Sequence, residues 1–212
     1  MRNAFKAAAL SASALAASAC ITAGAQSLEG VSAATYELEK SHAFLTAKIS
    51  HNGLSDYNID FTDFNATLEF DPADPTAAVL TATVNPLAIA THLPDAEERD
   101  KWETRLTTGD QFFNGDEFPE VKFVSSSIEK TGEFTGTVSG DLTFLGVTKP
   151  VSFDVAYNGT GNAPWFGPRD LIGFNAEATI TRSEFGMSAY TPNIGDDVKI
   201  IFSGEFLEAA AE

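Results

Sequence analysis

Residues 43–50 read Ala43, Phe44, Leu45, Thr46, Ala47, Lys48, Ile49, Ser50, and the alternation in them is strict. Ala43, Leu45, Ala47 and Ile49 share one side, and Phe44, Thr46, Lys48 and Ser50 the other. In an extended chain successive side chains point to opposite faces, so a two-residue period marks a strand with one buried face. The odd-numbered face is the inner one here, and regular parity carries it on to His51.

The same period recurs along the chain. Phe64, Ala66, Leu68 and Phe70 share a face until Asp71 and Pro72 end the run, and Val79–Val84 forms a shorter strand. Val121, Phe123 and Ser125 follow. The longest expected strand is 134–144, with Gly136, Val138, Gly140, Leu142 and Phe144 inward; its two glycines leave room beside the backbone or allow a sharp bend. Then come Val151, Phe153, Val155 and Tyr157; Phe174, Ala176, Ala178 and Ile180; and Val198, Ile200, Phe202, Gly204 and Phe206. About eight strands joined mostly by short turns suit an antiparallel sheet that closes on itself and keeps space for one ligand. A filled sandwich has the same period. With 17 Phe against 2 Met and 2 Trp, the inward surface is rigid and strongly apolar, which favours the barrel.

One helix is expected, in the long connection after Pro94. Asp95 stands as N-cap with Glu98 three residues on, and Gly109 is the stop. Trp102 and Leu106 are four apart and share a face, so they can lie against the barrel or close one end.

The N-terminus carries Arg2 and Lys6, an Ala/Leu/Ser-rich apolar stretch from Ala7 to Ala19, and small residues ending in Ala23, Gly24 and Ala25. That order is a secretory signal peptide, cleaved after Ala25, and it places the mature chain in the periplasm. A lipoprotein cut before Cys20 would want a larger aliphatic residue than Ala17, and is the weaker reading. Removing 25 from 212 residues leaves 187, a single domain over residues 26–212. Losing Arg2 and Lys6 takes the formal charge from −17 to −19, because no acidic residue precedes Glu29. Such a chain repels phosphate backbones and anionic headgroups, which argues against nucleic acid and against electrostatic docking on membranes. No segment of the mature sequence reads as a membrane span. Whether the chain forms a homodimer is left open by the sequence.

Groups able to carry chemistry are few. Parity puts His42 outside and His51 inside, so the two do not share a metal, and no metal site is expected. His51 could hydrogen-bond a ligand headgroup or satisfy buried backbone at the strand end. Arg182 follows Ile180 by two and so faces inward, where a guanidinium needs an anionic ligand group or an internal partner such as Glu184 or Asp196. The acidic run Asp95, Glu97, Glu98, Asp100 lacks the glycine and alternation of a calcium loop and reads as a solvated helix face. A GxSxG elbow, a phosphate-binding loop and a metalloprotease histidine pair are all missing from the sequence.

Spaced motifs add a resemblance. HAFLTAKISHNGLS from His42 to Ser55 resembles the opening of the YceI-like family, with Ala43 in place of the usual serine. FTDFNATLEFDP (61–72), the Arg99–Asp100 pair, Phe112–Phe113, Phe118–Pro119, GDLTFLGVTKPV (140–151) and TRSEFGM (181–187) follow in the family's order. Asp60 stands where the family usually has glycine. The resemblance implies an eight-stranded, lipocalin-like antiparallel barrel whose tunnel holds an isoprenoid chain or similar long apolar lipid, with a quinone-like molecule among the options, and a binding or transport role with no enzymatic activity. No other cofactor is implied. Combined with parity, it makes the ligand-contacting set Leu45, Ile49 and His51; Phe64, Leu68 and Phe70; Phe123; Val138 and Leu142; Phe153; Phe174, Ile180 and Arg182; and Phe202. Two alternatives stay open: an enzyme acting on such a lipid through His51 or Arg182, and a stress-related structural β-domain with a filled core.

Overall fold

Alternation only produces a barrel if each strand finds an antiparallel partner on both sides, and the computed structural model shows that it does. Residues 26–210 are described; the expected signal segment lies outside the described residues. Ten strands are formed: β1 (Ala34–His51), β2 (Ser55–Phe61), β3 (Phe64–Phe70), β4 (Val79–Val84), β5 (Ile89–Ala90), β6 (Val121–Lys130), β7 (Thr135–Phe144), β8 (Val147–Gly161), β9 (Leu171–Thr181) and β10 (Ile194–Glu208). They follow the order β10-β9-β8-β7-β6-β4-β3-β1-β2-β5, and β10 pairs back onto β1. Eight strands therefore close the barrel. β2 and β5 extend the wall: β2 continues the line of β3 along β1, and β5 lies beside β2.

The eight runs of alternating residues each fall in one of these eight barrel strands, but several details differ from expectation. β1 is 18 residues long and begins at Ala34, not near Ala43. Its buried residues are Tyr36 and Leu38, then Ala43 and Ala47, so the inward parity switches from even to odd. The cause is a bulge: Glu39 pairs with Glu205 and Ala43 with Gly204, so Lys40, Ser41 and His42 are extra residues on β1. The run 134–144 is not the longest strand, since β7 has 10 residues and both β8 and β10 have 15. β8 starts at Val147 and passes through Pro150, which pairs with Asp141 of β7, while β9 reaches only as far as Asp154. Pro150 therefore lies where β8 has no second neighbour to receive a donor it lacks. The short β2, with Tyr57, Ile59 and Phe61 on one face, has no counterpart among the strands expected from the sequence.

Gly140 shows why a glycine is needed on the inner face of β7. A Cβ there would lie 2.2 Å from the Val124 carbonyl and 2.7 Å from the Phe123 ring. The β6–β7 register shifts between Ser125 and Ser127, directly beside this point, so the bulged backbone of β6 crowds Gly140.

The helix α1 (Ala96–Thr108) obeys its sequence signals. The Asp95 carboxylate accepts from the Glu98 N–H at 3.0 Å, and Gly109 caps the C-terminus. Leu106 is buried and Trp102 packs beside it against the barrel end, where Trp102 Nε1 donates to Tyr57 Oη at 3.0 Å. The acidic face is solvated: Lys101 spans Glu97 and Glu98 at 2.8 and 3.1 Å, and Arg99 meets Asp100 at 3.7 Å, all exposed contacts of small energetic weight. No helix among the described residues is long and apolar enough to cross a membrane.

Candidate functional site

The inward faces do not interlock across the axis. Among the described residues they line two apolar chambers, of about 240 Å³ and about 150 Å³. Leu80, Val138, Val155, Ala176, Phe202 and Phe206 line both, so the chambers meet at a waist ringed by β4, β7, β8, β9 and β10. The larger chamber runs toward α1, where Phe113 and Met187 contribute to its wall. The smaller runs toward the opposite end, under the β3–β4 and β6–β7 turns, with Leu28 over it. Each chamber alone is below the roughly 300–1,000 Å³ usual for a small-molecule site. A slender molecule threading the waist would use both.

Of the residues expected to contact a ligand, Leu45, Ile49, Phe64, Phe123, Val138, Leu142, Phe153, Ile180, Arg182 and Phe202 line the larger chamber. Leu68, Phe70 and Phe174 line the smaller, which Val138 and Phe202 reach as well. The interior contributed by Ile59 and Phe61 of β2, and by Phe113 and Met187 from loops, was not read from the sequence. The FF and FGM motifs held the last two, but no period assigns a direction to loop residues.

His51 is a correction. Its side chain is exposed and borders neither chamber. The β1–β10 register shifts again between Ile49 and His51, which pairs with Ile194, and the chain turns at once through Asn52–Leu54 into β2. Regular parity therefore ends at Ile49. Among the described residues, His51 Nδ1 meets the neighbouring Asn52 amide, at 3.2 Å.

Arg182 is buried, with 3% of its surface exposed, but it does not sit in β9. It opens a short 3₁₀ turn, Arg182–Phe185. Its guanidinium is consumed by backbone: Nε donates to the Gly195 carbonyl at 2.8 Å and Nη1 to Met187 at 3.1 Å. Nη2 faces the carbonyls of Ala189 and Ile194 and the Thr191 hydroxyl, at 2.8 to 3.1 Å. Burial pushes the guanidinium pKa down, and Asp196 opposes this. Neither suspected acid forms an ion pair with it: Asp196 accepts from Ser183 instead, at 2.6 Å, and Glu184 turns out to Lys149 at 3.6 Å. Thus the buried charge is satisfied by carbonyls and a hydroxyl, and it fastens residues 187–195 beneath the larger chamber.

The outer face holds a separate group. In the β1 bulge, His42 Nδ1 contacts Glu39 and lies 3.8 Å from Glu205, so the three side chains bring their polar atoms within 4.8 Å of one another. Burial raises the Glu39 carboxyl, but hydrogen bonds from His42 and Ser41 more than offset it and hold its pKa below the usual 4.5.

A closed antiparallel barrel of eight strands, lined with Phe and aliphatic side chains around a narrow interior, defines a lipocalin-like binding barrel. Residues 36–206 match the YceI-like domain, and the chain belongs to that family. A UPF0312 protein of Pseudomonas fluorescens (strain SBW25) is 39% identical over 165 residues, covering 77% of this chain and 81% of its own. A UPF0312 protein of Pseudomonas putida (strain GB-1) is 41% identical over 157 residues, covering 73% and 77%. Among solved structures, the Campylobacter jejuni YCEI protein superposes with a TM-score of 0.62 at 27% identity, over 77% of this chain and 91% of that one. A Saccharophagus degradans domain described as polyisoprenoid binding is alike in fold, with a TM-score of 0.59 at 16% identity over 82% and 98%.

Proposed function

We propose that this protein holds a long-chain isoprenoid, or a similar apolar lipid with a quinone-like or other small headgroup, threaded through both chambers, and carries it through the periplasm. The observation that carries the reading is the waist: six apolar residues join two cavities that each fall below the volume usual for a small-molecule site. Withdrawing apolar surface from water stabilises a complex by roughly 25 cal/mol per Å² on wall and ligand alike, so a long alkenyl chain supplies ample driving force. The polyisoprenoid-binding description of the Saccharophagus domain, which shares the fold, supports the same ligand class. The signal-like residues 1–25 support export.

Binding is a better account than catalysis. Arg182 donates to five acceptors of the protein itself, and His51 lies outside the cavity, so neither is placed to move a proton on an enclosed lipid. The open interior likewise argues against a structural domain with a filled core. Gentle purification followed by mass spectrometry of the organic extract tests the proposal. We expect one long-chain apolar lipid near one-to-one occupancy; an extract free of such lipid, from protein that also fails to take up added isoprenoids, would refute it.

A further inference from the structure

We propose that the lipid enters and leaves through a seam in the barrel wall, between β1 and the junction of β2 with β3, and not past either barrel end. This rests on the reading that the chambers hold a long apolar lipid.

The seam is a gap in the ladder. β1 pairs with β3 from Ala34–Phe70 to Glu37–Thr67, and resumes with β2 at Leu45–Phe61. Residues 38–44 of β1 and 62–66 opposite them have no paired register between the two blocks. The bulge at Lys40–His42 carries β1 out of step there. Across the gap, the junction backbone is satisfied on its far side: Thr62 N–H donates to the Ala88 carbonyl and Asn85 N–H to the Asp63 carbonyl, both at 2.9 Å. Widening the seam therefore leaves those bonds in place.

Outside the gap lies a surface groove of about 250 Å³, and three of its lining residues, Leu45, Phe61 and Phe64, also line the larger chamber. These half-buried side chains are what stands between the groove and the interior. Rotation of apolar side chains opens the route without stranding a polar group. Phe44, 68% exposed beside the seam and lining the groove, offers an apolar landing surface. At the rim, Lys40 faces Asp63 at 3.7 Å, which suits a headgroup that stays in water while its tail goes in.

Each end is tied by hydrogen bonds that passage would break. At one, α1 is pinned by Trp102 to Tyr57, and Phe113 packs on Phe61. At the other, Gln26 donates to the Tyr157 carbonyl at 3.3 Å, Tyr157 Oη donates to Ser27 at 2.9 Å, and Ser32 N–H donates to Asp170 at 2.8 Å.

The test uses a Cys20→Ser background, a fluorescent long-chain isoprenoid as probe and detergent micelles as acceptor. Phe44→Cys carrying a bulky maleimide polymer should slow uptake and release together by tenfold or more, with the equilibrium Kd within about twofold. The same label on Asp74→Cys, in the exposed β3–β4 turn at the other end of the barrel, should leave both rates unchanged. Phe64→Ala should accelerate both. Unchanged rates with the label at position 44, or slowing from position 74, would overturn the seam while leaving the lipid reading intact. Failure of the unlabelled chain to bind the probe would bring down the lipid reading, and the seam with it.

Discussion

Arg182 Nε donates to the carbonyl of Gly195 across 2.8 Å, tying the turn after β9 to the second residue of β10. The remaining donors hold Met187, Ala189, Thr191 and Ile194, so one planar cation organises the loop that floors the larger chamber. A lysine ammonium is a point charge with three donors and cannot reproduce that fork. Arg182→Lys should lower unfolding stability by about 2–4 kcal/mol, since buried carbonyls lose their partners. The headgroups of lipids recovered with the variant should match those of the parent chain. A changed headgroup spectrum, with stability intact, would assign Arg182 to ligand recognition after all.

Ala176 sits at the waist, on the inner face of β9, paired with Phe202 of β10 and Val155 of β8. Its small side chain keeps the passage open. Ala176→Phe should fill the waist and separate the chambers, and overpacking of this kind destabilises by about 1–3 kcal/mol. Across a series of isoprenoids of increasing length, the variant should lose at least tenfold affinity for the longest while keeping the shortest within about threefold. A uniform loss at every length would mean that the ligand does not thread the waist.

Much of this architecture was legible because inward series such as Phe64–Phe70 and Val198–Phe206 keep a single parity along their strands. What was not legible follows from broken parity. The bulge at Lys40–His42 hid the first half of β1, whose Tyr36 is fully buried, and the shift after Ile49 turned His51 to solvent. Arg182 was rightly placed in the interior, but its acceptors are carbonyls of residues 187–195, and side-chain identity carries no record of where a carbonyl points. The helix was legible in detail because Asp95, Glu98 and Gly109 are local signals that need no tertiary partner.

Trp102 closes the barrel end through two contacts of different kind: its Nε1 donates to Tyr57 Oη, and its ring meets Phe112 edge-on with centroids 5.9 Å apart. Trp102→Phe keeps an aromatic edge and removes the hydrogen bond, so it should cost about 1 kcal/mol. Trp102→Ala removes both, and should cost about 2–4 kcal/mol because the partly buried ring leaves a space under α1. Amide hydrogen exchange should show faster opening of 96–108 in the alanine variant, with β7 to β10 unaffected. Acceleration spread evenly over the barrel would show that α1 and the strands open as one unit.

Glu39 makes stability depend on acidity in a defined direction. Burial raises its carboxyl, but hydrogen bonds from His42 and Ser41 prevail, and the folded-state pKa lies below the ordinary 4.5. A group depressed in the folded state stabilises it fully above its unfolded value, and that contribution disappears as pH falls through the folded one. Stability should therefore be level through this group from neutral pH to about 4.5, then decline on further acidification. Asp196, held below 3.8 chiefly by the Ser183 hydroxyl with burial opposing, adds a second decline at still lower pH. Glu39→Gln cannot ionise and should remove the first decline while leaving the second, as read from urea midpoints between pH 7 and pH 3. Ser183→Ala should do the reverse, because it frees the Asp196 carboxyl to titrate nearer its ordinary value. Parallel pH profiles for the parent and Glu39→Gln would mean that the contact with His42 persists in the unfolded chain or contributes nothing to holding the bulge against β10.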